Sequence, residues 1–150
     1  MSPENSHTPP NIFPALVTSA VIVILWVIPV FAPGGRAGTT GAGAWGFISI
    51  IALLATIISP LVYGWLSRDS TGAIVIGALP FLLVTGVARI VSPPGPAEAG
   101  FLAWSVVYIL SLSLVGGLEG YFAARKTTGN VLIALLLAAL WAGIFFSGIH

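Results

Sequence analysis

The chain has no cysteine, one methionine, two histidines, four acidic and five basic side chains in 150 residues. Without cysteine there are no disulfides, no thiolate metal sites and no cysteine nucleophiles. A net charge of +1 offers no basic surface for nucleic acid. The histidines, His7 and His150, lie at the two termini, where disorder is the usual reading, so no metal site and no cofactor is expected. There is no HExxH helix, no Ser/His or Asp/Asp arrangement and no phosphate-binding glycine loop. Glu119, Asp69, tyrosines and hydroxyls are all that an enzyme would have to work with. An enzyme is therefore not expected, and a large polar substrate is disfavoured.

The scarcity of charge says most. Charged residues are 6% of the chain, against roughly 25% in ordinary soluble domains. They fall almost entirely between five apolar runs, at 12–32, 44–66, 72–91, 101–124 and 131–149. A helix needs roughly 20 mostly apolar residues to cross the hydrocarbon of a bilayer. The strands of a membrane barrel would be shorter and would alternate polar with apolar residues. Segments such as Ile48-Ser49-Ile50-Ile51-Ala52-Leu53-Leu54 do not alternate. The expectation is an all-α, multi-pass integral membrane protein, a bundle of five transmembrane helices. It forms one membrane domain, 12–150, behind a flexible polar tail, 1–11, that contains Pro3, Pro9 and Pro10.

The first run ends in Val30-Phe31-Ala32, small enough at the right positions for signal-peptide cleavage. The positively charged segment that opens a signal peptide is missing, so the run reads as a retained span; cleavage would leave four spans beginning near Pro33. Loop one (33–43) is rich in glycine and loop three (92–100) in proline, whereas loops two and four read as tight turns of about five residues. Arg68, Arg125 and Lys126 flank loops two and four; Arg36 and Arg89 flank loops one and three. Three cations against two set loops two and four in the cytoplasm, with the N-terminus inside and the C-terminus outside.

The two tight turns resemble each other. Arg68-Asp69-Ser70-Thr71-Gly72 matches Arg125-Lys126-Thr127-Thr128-Gly129 at a constant offset. Duplication of a two-helix unit, as in some transporters, would produce this pattern. So would local chemistry: cations complement a helix C-terminus and Thr or Asn caps the next helix.

Glu119 is the one acidic residue inside a span, in Gly116-Gly117-Leu118-Glu119-Gly120. It stands about 7–8 Å from the end of its helix, where an ionised carboxylate costs roughly 1–3 kcal/mol. It is the candidate site for a proton, a cation or a ligand amine. The competing reading is an anchor, in which Glu119 reaches toward Lys126 or Arg68 on the same membrane side. Arg89 belongs to the opposite face and reads as snorkelling to lipid phosphate or pairing with Glu98. Arg68, Arg89, Arg125 and Lys126 are thus candidate interfacial charges.

Small residues recur at packing intervals. Gly116 and Gly120 make a GxxxG step, with Ser113 and Gly117 beside it; Ala134-Ala138-Ala142 and Ala139-Gly143-Ser147 make two stripes on the last span. Such faces let helix backbones approach in lipid, within one chain or between chains. Pro29, Pro60 and Pro80 interrupt the first three spans, and Thr56 and Ser59 are placed to satisfy carbonyls freed by Pro60. Trp45, Trp65, Trp104 and Tyr121 fit interfacial belts.

Two functions follow. The first is a non-enzymatic assembly or scaffold component whose partners are the bilayer, other membrane proteins or copies of itself, joined through the small-residue faces. The second is a small transporter or channel with Glu119 as a proton- or cation-linked site.

Overall fold

The computed structural model describes residues 12–31, 44–91 and 99–148. The tail, loop one and most of loop three, with His7, Arg36, Glu98 and His150, lie outside the described residues, as do the side chains of Trp45 and Arg89. The described residues form five helices: α1 (Phe13–Phe31), α2 (Ala44–Ser67), α3 (Ser70–Val91), α4 (Ala99–Ala124) and α5 (Thr128–Ser147). Four of them, α2 to α5, are long and apolar enough to cross a membrane; the apolar stretch of α1, Phe13–Pro29, is shorter. The expectation of five transmembrane helices is thus met in length and apolarity by four.

Hydrogen bonding explains where the helices stop. At the end of α2, the Ser67 hydroxyl donates to the Tyr63 carbonyl (2.7 Å) and accepts from the Asp69 amide (3.2 Å). The Asp69 carbonyl then accepts the Ala73 amide and α3 begins. Thr127 caps α5: its backbone is extended and its side chain accepts the Asn130 amide at 3.3 Å, satisfying an amide that the helix itself leaves unpaired. The turns are therefore tighter than expected, with two residues between α2 and α3 and three between α4 and α5.

Packing runs through small side chains. α2 touches each of the other four helices, α4 lies between α3 and α5, and α1 packs on α2 and α3. Most buried apolar residues are alanines, among them Ala15, Ala52, Ala73, Ala123, Ala134 and Ala138. Large apolar side chains point outward instead: Trp104 is 75% exposed and Leu136 70%, with Phe47, Leu66 and Leu114 alike. Water would make this arrangement costly, since an outer surface made of contiguous leucine and isoleucine has nothing to bury it. In lipid it is the economical one, because tails solvate leucine and close helix approach supplies the packing.

The closest approach joins α3 to α4. A Cβ built on Gly77 would collide with the Gly116 carbonyl, one on Gly116 with the Gly77 carbonyl, and one on Gly120 with the Ala73 carbonyl. Across the bundle, Gly64 of α2 sits against Gly120, whose oxygen would lie 2.8 Å from an added Cβ. Gly116 and Gly120 are thus spent within the chain, against Ala73 and Gly77. They are not free to join a second copy, which corrects one of the two readings of that stripe. Ala138 is buried on α5 and Ala142 half-buried, but Gly143 is exposed with nothing within 4 Å. Gly143 therefore packs against none of the described helices.

Pro60 and Pro80 are fully buried and the helices continue through both. Thr56 does not serve the carbonyl freed by Pro60, which would be its own. Its hydroxyl donates to Ala52 (2.7 Å) and accepts from the Trp26 indole (2.9 Å), tying α1 to α2.

Candidate functional site

Glu119 lies on α4 with Leu112 and Ala123, at i, i+7 and i+11, so the three share one side of the helix. All three are buried; Glu119 is 1% exposed. Its neighbours along the chain, Gly116 and Gly120, hold α4 against α3, and this close seam keeps the carboxyl inside protein rather than lipid. One turn along the same side, Ala123 joins Ala134 in lining a groove between α2, α4 and α5.

The carboxyl oxygen Oε1 has no hydrogen-bond partner, and among the described residues no cation reaches it. The anchor reading needs Lys126 or Arg68, and neither serves. The Lys126 ammonium stands 5.4 Å from the centroid of the Trp65 ring. The Arg125 guanidinium lies 4.5 Å from that of Tyr121 and also donates to its hydroxyl. Arg68 is exposed. Two of the three cations of this end, Arg125 and Lys126, are held by aromatic faces, where cation–π attraction is worth roughly 0.5–1 kcal/mol at exposed sites. Glu119 is left with burial and nothing to offset it, and an unpartnered buried polar group costs roughly 1–3 kcal/mol.

The two turns share a backbone feature. Arg68 and Lys126 have φ of 58° and 52°, the left-handed region, which disfavours a side chain by roughly 1 kcal/mol. In each turn this residue precedes the one before the next helix, so the backbone pairs Arg68 with Lys126 and Asp69 with Thr127. The sequence match pairs Arg68 with Arg125 instead, one residue out of step. Local turn chemistry accounts for the likeness better than duplication, which would keep sequence and backbone in register.

At the other end of the bundle the structure gathers residues that spacing alone did not join. Trp141 and Phe145 stack with centroids 5.4 Å apart and planes 8° from parallel. Phe81 meets both edge-on, Tyr108 meets Phe81 edge-on, and Trp26 lies 5.7 Å from Phe145. Tyr108 donates to the Phe145 carbonyl at 3.0 Å. These rings link α5 to α1 and α3, neither of which it meets through the backbone among the described residues. One signal was available: a tryptophan at mid-span needs an acceptor for its indole N–H, and Trp26 finds it in Thr56. Ser19 and Ser113 are also buried with unpartnered hydroxyls, on α1 and α4.

No group of three or more His, Cys, Asp or Glu residues is placed to hold a metal among the described residues. The chain matches no family model, no curated protein and no solved structure.

Proposed function

We propose that the chain is an integral membrane protein in which α1 completes a five-helix bundle, and that it acts as a small proton-linked transporter or channel with Glu119 as its proton-binding group. The observation that carries this reading is a carboxyl buried on α4 with Oε1 unpartnered and, among the described residues, no cation beside it. Intramembrane carboxyls that no structural pair explains mark ion and proton pathways. The ion is a proton because of the donor set. A bare divalent cation takes six to eight oxygens, or an octahedron of them, whereas the side of α4 that bears Glu119 otherwise presents Leu112 and Ala123. A single carboxyl in apolar surroundings holds a proton and little else. The end bearing Arg68, Arg125 and Lys126 faces the cytoplasm on this reading.

Proton entry into liposomes under an imposed potential tests it. Wild-type protein is expected to admit protons at a rate that falls at least about ten-fold in Glu119→Gln, a rise of about 1.4 kcal/mol in the barrier that the carboxyl lowers. Equal rates from the two proteins overturn the assignment.

A second reading keeps a non-enzymatic assembly component, with Gly116 and Gly120 removed from its interface. Ala139, Gly143 and Ser147 are all exposed on α5 and are unspent by the chain's own packing. Association in lipid that disappears in Gly143→Leu favours it; a monomer at every lipid dilution removes it.

A further inference from the structure

At the end of the bundle where α2 turns into α3 and α4 into α5, a groove of about 330 Å³ opens between α2, α4 and α5. Val62, Trp65, Ala123, Val131, Ala134 and Leu135 line it. Apart from the Trp65 indole nitrogen these side chains are all hydrocarbon, and none is charged. Ala123 and Ala134 are buried at its floor, while Val62, Trp65 and Leu135 are exposed. The two alanines leave the room that larger side chains would fill.

The mouth differs in kind. Lys126, half-buried, holds its ammonium 5.4 Å from the Trp65 ring centroid, and Trp65 is itself a wall of the groove. Arg125 lies on Tyr121, a wall of the neighbouring groove between α3 and α4, and Arg68 follows directly on the Leu66-Ser67 end of α2. Asp69 is the one acidic side chain in the two turns, and its carboxylate accepts from the Tyr63 hydroxyl at 3.3 Å. Three cations against one carboxylate leave this end positive. Arg68 and Lys126 moreover occupy backbone conformations that favour glycine. The turns would be easier to build without these side chains, and a charge stands at both positions nonetheless.

We propose that the groove holds an acyl chain of an anionic phospholipid whose phosphate sits at Lys126, in the positive field to which Arg68 and Arg125 add. A free phosphate would use the cations and leave the hydrocarbon walls unmet; a neutral lipid would use the walls and leave the charge unmet. An anionic lipid satisfies both, with Trp65 at the level where an amphipathic ring belongs. Basic pockets at the cytoplasmic ends of membrane helices bind such headgroups, each cation contributing about five-fold in affinity. The inference rests on the membrane reading above and not on any role of Glu119.

The test is native mass spectrometry of the detergent-solubilised full chain with phosphatidylglycerol and phosphatidylcholine of identical acyl chains, and with glycerol phosphate alone. Phosphatidylglycerol is expected to be retained at least about ten-fold better than phosphatidylcholine, and glycerol phosphate not at all. Lys126→Gly, which relieves the backbone and so preserves folding, is expected to cut the preference about five-fold. Val131→Trp, which fills the groove, is expected to weaken both lipids. Glu119→Gln should leave the preference intact, which separates this site from the transport reading. Equal retention of the two lipids overturns the proposal, as does an unchanged preference in the triple variant Arg68→Gly, Arg125→Gln, Lys126→Gly. Glycerol phosphate binding as well as the whole lipid would overturn the groove.

Discussion

The stripes of small residues on α4 and α5 are alike in spacing and opposite in use. Gly116 and Gly120 are pressed against carbonyls of α3, where even a methyl group has no room. Gly143, with Ala139 and Ser147 beside it, looks outward onto nothing within 4 Å. Spacing announces that two backbones can approach; it does not say whether one does. What decides is the partner. Ala73 and Gly77 on α3 offer a second small-residue step of the same length, and α3 is tied to α2 by a two-residue turn that brings it alongside. No described helix offers α5's outer face anything.

Gly116→Ala puts this contrast to its hardest test. The added Cβ must displace the Gly77 carbonyl and with it part of α3. Overpacking of this kind costs about 1–3 kcal/mol, and more when backbone must move. Reversible unfolding in mixed micelles should register a loss at the upper end of that range, with Gly77→Ala behaving likewise. A loss below about 0.5 kcal/mol in both would show that the seam is not close, and the burial argument for Glu119 would fall with it.

Glu119→Met sharpens the same comparison from inside the seam. Methionine fills a similar volume and removes an unpartnered buried carboxyl, which should stabilise the protein by roughly 1–3 kcal/mol while abolishing proton entry. A gain in stability with a loss of activity is the mark of a residue kept for function at the expense of the fold. Destabilisation by a comparable amount would instead return Glu119 to a structural role and revive the anchor reading.

The helices were legible in the sequence, and their number of crossings only in part. All five lie within a few residues of the apolar runs, but only α2 to α5 have the length and apolarity that crossing a membrane needs. Glu119 stood out as the one acidic residue inside a run. Its lack of a partner was not legible: Lys126 lies seven residues on and shares its helix face on paper, yet α4 ends at Ala124 and a left-handed Lys126 swings its side chain onto Trp65. The division of the small residues was hidden too, since it depends on which helices neighbour which. Thr56 was noticed for the wrong bond, its proximity to Pro60 in sequence outweighing an indole on another helix.

Trp26→Phe measures that overlooked link. Phenylalanine keeps most of the ring contact with Phe145 and loses the 2.9 Å bond to Thr56, while the Thr56 hydroxyl still donates to Ala52. The expected cost is about 1 kcal/mol, that of one net hydrogen bond. It should be read in the same micelles, and Thr56→Val should bring no further loss once Trp26 is gone. Additive losses would mean that the two side chains act separately and that α1 is held by apolar packing alone.

The smallest expected effect carries the other half of the contrast. Gly143→Ala meets no atom of the described residues, so it should stabilise α5 rather than damage it, by about 0.5 kcal/mol through lower backbone freedom in the unfolded state. The gain is modest because a span that stays helical in the micelle-unfolded state has little freedom left to lose. The sign is what matters: the substitution that damages α4 at Gly116 should improve α5 at Gly143. A stability gain in dilute micelles together with weakened association in lipid would identify the outer face of α5 as a contact between chains, because only a second backbone can make an alanine worse than a glycine there. A stability gain with association unchanged would leave that face to lipid, and the assembly reading would lose the one surface still available to it.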